Sequence, residues 1–80
     1  MVQFAVIKEQ GVTFGVVVVK DHVIECRSDA DDSVSYWTHR LGCTTVLYGA
    51  ERHKVYGDRN LIDFVASLHP SQIPWRKMAA

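Results

Sequence analysis

Apolar and polar positions alternate from the start of the chain. In "VQFAVIK", Phe4 and Val6 fall on one side of an extended backbone and Gln3 and Ala5 on the other, so the pattern predicts a strand. "EQG" follows as a turn in which Gly11 is free to take positive φ. "VTFGVVVVK" is then a second strand, rich in β-branched residues, and the two read as a hairpin. From Gly15 to Val19 this second strand is apolar on both faces. A central strand covered on both sides has that pattern, the cover coming from the chain itself or on one side from a partner subunit.

The period then changes. In "SDADDSVSYWTHRLG", Ala30, Val34, Trp37 and Leu41 recur at steps of four, three and four, which lines one face of a helix. Ser28 is placed to cap its first turn, with Asp31 three residues on. Asp29, Asp31 and Asp32 lie where the helix dipole favours negative charge, His39 and Arg40 where it favours positive charge, and Gly42 supplies the stop. Helix energetics alone accounts for these five charged or titratable side chains.

"CTTVLYG" predicts a third strand, "AERH" a turn and "KVYG" a short fourth strand. Asp58 is positioned to cap a second helix, "RNLIDFVASLH", whose Leu61, Ile62, Val65 and Leu68 form an inward stripe with Phe64 beside it; Pro70 ends it. Because a helix joins the second and third strands, these become parallel neighbours through a crossover. The expected fold is therefore α+β, in ββαββα order, with a mixed four-stranded sheet and two helices. Residues 1–70 form one domain, and 71–80 form a C-terminal tail carrying Trp75, which Pro74 keeps from being regular helix.

The segment "CTTVLYGAERHKVYGDRNLIDFVASL" resembles the closing hairpin and helix of thioredoxin-like proteins, a strand, turn, strand ending in Gly, and helix. The resemblance implies a local fold and nothing more. There is no Cys-x-x-Cys, no proline before "TTVLYG", and too little chain ahead for the leading strand and helix, so redox activity is not carried over.

Composition narrows the function classes. With 48% hydrophobic and 22% charged residues over 80 positions, the chain is ordinary globular material able to build a single core. Nine basic residues balance nine acidic ones, so no net field draws in nucleic acid or anionic lipid. "MVQFAVIKEQ" lacks the marks of a secretory signal, and the longest apolar run, "GVVVV", is strand-sized, so the expected setting is the cytoplasm, with no membrane contact and both cysteines as free thiols.

One spacing occurs twice: His22-x3-Cys26 and His39-x3-Cys43. These are metal-ligand residue types, but the predicted helix lies between the pairs. At 1.5 Å per residue it separates them by about 20 Å, far beyond the reach of one tetrahedral ion, so no metal and no cofactor are expected. Cys26 with nearby His22 has no third, orienting partner of the kind a nucleophile needs. "DADD" is explained by the helix start, and neither "GVTFG" nor "YGDRN" has the glycine spacing of a phosphate loop. No enzyme is expected.

Binding is left. Trp75, beside Pro74 and ahead of Arg76 and Lys77, either folds back over the core as a lid or docks on another chain. If both helices covered the same face of the sheet, the bare valine face would also seek a partner. The expectation is a protein-interaction module that self-associates, a homodimer, through Trp75, Ile73 and Tyr36. The alternative is a small RNA- or DNA-binding module using Arg52, Lys54 and Arg59 at the second hairpin, with Tyr48 and Tyr56 for stacking.

Overall fold

A computed structural model describes residues 2–9 and 11–79. The fold is α+β, and its sheet is mixed as expected, but among the described residues it has five strands rather than four, and three helices rather than two. The strands β1 (Val2–Glu9), β2 (Val12–Val19), β3 (Thr44–Gly49), β4 (Val55–Tyr56) and β5 (Arg76–Met78) lie in the order β4-β3-β2-β1-β5. The helices are α1 (Asp21–Glu25), α2 (Arg27–Leu41) and α3 (Arg59–Ala66). Gln10, in the middle of the expected "EQG" turn, lies outside the described residues, as do Met1 and Ala80.

The valine run explains the centre of the sheet. β2 pairs antiparallel with β1, from Phe4↔Val17 to Glu9↔Val12, and parallel with β3, from Phe14↔Thr44 to Val19↔Gly49. The period-2 alternation sends Phe14 and Val16 to one face and Val17 to the other, and all three are buried. The helices lie on opposite faces. α3 packs through Leu61, Phe64 and Val65, with Leu68 just beyond it, on the face carrying Ala5, Ile7, Phe14, Val16, Val46 and Tyr48. α1 and α2 pack on the face carrying Val17 and Leu47, through Val23, Ile24, Ala30, Val34, Trp37 and Leu41. Burying the equivalent of several Val- or Leu-sized side chains on each face, at roughly 1.5–3 kcal/mol each, is what a chain of this size has to offset its conformational entropy. The condition for a bare valine face, both helices on one side, is not met.

Four local expectations are corrected. The α2 stripe is as read, but Ser28 is inside the helix, and Cys26 is the N-cap residue, extended at φ −101°, ψ 108°, with no side-chain cap bond. The reason is α1, which runs almost directly into α2: the Cys26 amide donates to the His22 carbonyl and the Cys26 carbonyl accepts from Ala30. In α3, Phe64 rather than Ile62 joins the stripe, its ring edge-on to Phe14 at 5.7 Å. The helix also ends at Ala66, before Pro70, because Ser67 Oγ donates to the Phe64 carbonyl at 2.6 Å and local side-chain bonds take over the following backbone: the Gln72 side chain accepts from the His69 amide at 2.8 Å. Finally, the tail is part of the sheet. β5 pairs antiparallel with β1 at Val2↔Met78, Gln3↔Lys77 and Phe4↔Arg76.

Two other readings hold at atomic detail. Asp58 caps α3, its Oδ1 accepting from the amides of Asn60 at 2.9 Å and Leu61 at 3.4 Å. Gly42 ends α2 in the left-handed conformation, φ 74°.

Candidate interaction surface

The flanks of α2 fix how it sits over the sheet. On one flank, the Tyr56 hydroxyl of β4 donates to the Asp31 carboxylate. On the other, Arg40 donates from Nη2 to the carbonyl of Ala79, just past β5, at 3.4 Å. Asp31 and Arg40 thus span the sheet from its β4 edge to its β5 edge. Tyr36 lies one turn before Arg40, on the β5 flank, and is 53% exposed. It is held in place: Arg40 Nη1 donates to its hydroxyl at 3.0 Å, and its ring stands edge-on to Trp37 at 5.0 Å. The Arg40 guanidinium also lies over Trp37, 5.7 Å from the ring centre. An exposed tyrosine clamped this way loses little conformational freedom on docking.

Val6 of β1, 43% exposed, points to the same face of the sheet as Phe4, and Phe4 and Met78 are half-buried there beside the α2 core. Val6 and Tyr36 are two of the three large hydrophobic residues most exposed on the described surface, the third being Val12. Tyr36 is expected from the sequence, as an outward position of the α2 pattern. Periodicity does not pick out Val6 or Arg40, because Val6 sits in an alternating strand with apolar residues on both faces and Arg40 is already explained by the helix dipole.

The other expected contact residues lie elsewhere. Ile73 is 4% exposed, in the core under α3's face of the sheet. Trp75 is half-buried against that core, its ring 5.7 Å from Tyr48, in a hollow with Gln3, Val18, Ala50 and His53. The fold-back is thus the position the tail takes. Tyr36 and Trp75 lie on opposite faces of the sheet, Tyr36 on the β5 flank of α2 and Trp75 reaching across to Tyr48 of β3, and do not meet.

Of the basic residues at the second hairpin, Arg52 is shared with acid. Asp21 holds the turn after β3: its two carboxylate oxygens accept from the amides of Glu51 at 3.3 Å and Arg52 at 3.1 Å. Arg52 in turn donates to Glu25 at 3.1 Å and lies 3.9 Å from Asp21. These exposed pairs contribute about 0–1 kcal/mol each, but they place two carboxylates where a phosphate would have to approach. Lys54 and Arg59 are exposed, with no contact among the described residues bringing them to Arg52; of the two expected stacking rings, Tyr48 is buried against Trp75 and His53, and Tyr56 is half-buried against the α2-side core.

The thiols are separate. α2 stands between Cys26, exposed, and Cys43, half-buried, and burial pushes the Cys43 thiol above its ordinary pKa, away from the reactive thiolate. Among the described residues, no three of His, Cys, Asp and Glu converge on a common point. No helix is long and apolar enough to cross a membrane, again among the described residues.

Compared with known proteins, the chain matches no family model, no curated protein sequence and no solved structure.

Proposed function

We propose that the protein is an interaction module that acts by binding rather than by catalysis, and that it self-associates. The observation that carries this reading is the exposed, pre-positioned Tyr36 on the α2 flank, with Arg40 and Trp37 fixing it and Val6 and Phe4 on the neighbouring sheet face. Tyrosine, tryptophan and arginine are the residue types that dominate binding energy at protein interfaces, and rigid ones do so at the least entropic cost. Trp75 lies on the other face, against Tyr48, and Ile73 lies in the core beneath that face.

The test is sedimentation equilibrium over a concentration series, comparing the unaltered chain with Tyr36→Ala. Tyr36 is exposed, so its loss leaves the fold intact. The expected result is a concentration-dependent dimer that Tyr36→Ala weakens by about tenfold or more, the size of a modest interface hot spot. A chain that sediments as a monomer at every concentration contradicts self-association.

A further inference from the structure

β1 is longer than its outer neighbour. Of its eight residues, Phe4 to Glu9 pair with β2, but β5 covers only Val2, Gln3 and Phe4 on the other side. Among the described residues, no strand pairs with the outer edge of Ala5–Glu9. An open strand edge presents unpaired backbone donors and acceptors and is a template for another strand.

We infer that this edge is the seam of self-association, two copies joining antiparallel through their β1 strands about a two-fold axis at Ile7. The inference rests on the self-associating reading above and names its surface.

The register follows from charge and space. A two-fold axis perpendicular to the sheet keeps each side chain on its own face, so residues pair in steps of two and only three centres lie near the open edge. An axis at Lys8 sets two lysines directly opposite each other, which is repulsive. An axis at Val6 runs the second copy's Lys8 and Glu9 opposite Phe4 and Gln3, positions β5 already fills with Arg76 and Lys77. An axis at Ile7 avoids both. It sets Ile7 against Ile7 and Val6 against the second copy's Lys8, and brings its Glu9 level with Ala5, beside Trp75, where the tail enters β5. The lysine stem then lies along exposed Val6, and Glu9 ends beside the basic start of β5. The same axis keeps both α2 helices on one face of the joined sheet, with their Tyr36–Arg40 flanks toward the seam.

The test uses two substitutions at one exposed position. Val6→Lys and Val6→Glu both remove the valine, but opposite the second copy's Lys8 one repels and the other attracts. Sedimentation equilibrium is expected to show a dimer dissociation constant raised about tenfold or more in Val6→Lys, near the unaltered value in Val6→Glu, and restored in Val6→Lys/Lys8→Glu. Circular dichroism melts confirm that each variant is folded. Equal dimerisation of both single variants, with Tyr36→Ala still weakening it, places the seam elsewhere while self-association stands. Equal loss in both overturns the Ile7 register, and a monomeric unaltered chain overturns the seam and the self-association together.

Discussion

Asp31 shows how one side chain can be read in two ways. Its position in the first turns of α2 is explained by the helix dipole, yet its carboxylate also accepts from Tyr56 and fixes the helix to the β4 edge. That bond, with burial and the nearby negative charge adding to it and Arg27 opposing, raises the Tyr56 pKa above the ordinary value of about 10. A raised pKa favours the protonated form in the folded state. Its stabilising contribution is therefore complete below the unfolded value and is lost as pH rises through the higher folded one. Absorbance titration at 295 nm is expected to show one tyrosine ionising later than the ordinary value, and Asp31→Asn to move it back down; an unshifted profile in Asp31→Asn contradicts the contact. Gly57 carries a different constraint. At φ 148° its backbone is one that L side chains rarely adopt, and a Cβ there would lie 2.8 Å from Val46 Cγ1 and 3.2 Å from its Cα. Gly57→Ala is expected to lower the thermal midpoint by more than ordinary surface substitutions, whose effect stays within about 0.5 kcal/mol. Asp58→Ala removes the α3 cap and is expected to cost about 1 kcal/mol, a fall of roughly 4–8 °C in a domain of this size.

At the scale of elements, the sequence announced what has a long period and was silent on what is short. The helical period sustained over the fourteen residues "SDADDSVSYWTHRL" and the both-faces-apolar valine run locate α2 and the central strand, and the crossover between them dictates the parallel β2–β3 pair. α1 is 5 residues long and β5 is 3, too short for a pattern to repeat, so each exists by tertiary context: Val23 and Ile24 docking under β2 and β3, and Arg76–Met78 finding the β1 edge. Of the candidate surface, Tyr36 was legible as an aromatic out of phase with the α2 stripe. The open β1 edge was not, because strand order depends on where the tail returns. Ile73, expected as a contact residue of the tail, sits in the core. Ile73→Ala is accordingly expected to destabilise by about 2–4 kcal/mol in urea unfolding, as buried aliphatic truncations do, whereas an exposed contact residue would leave the midpoint unchanged.

For the molecule as a whole, three features converge on one end of the sheet. Among the described residues β5 pairs with only part of β1, α2 sets Tyr36 and Arg40 over the same side, and Val6 and Phe4 lie on that face of β1. The opposite, β4 end is occupied by its own contacts, Tyr56 with Asp31 and Arg52 with Asp21 and Glu25. A charge-balanced chain has no long-range field to steer a partner, so the proposed association through edge pairing and close packing is expected to depend only weakly on salt. Raising the salt from 50 to 500 mM is expected to leave the dimer fraction nearly unchanged at fixed concentration; a steep fall would assign the interface to charges instead.

Native mass spectrometry of the untagged chain is the most direct measurement. The account predicts a species of twice the 9.0 kDa chain mass with no added ligand mass, growing with concentration. A 9.0 kDa monomer persisting into the hundred-micromolar range would contradict it.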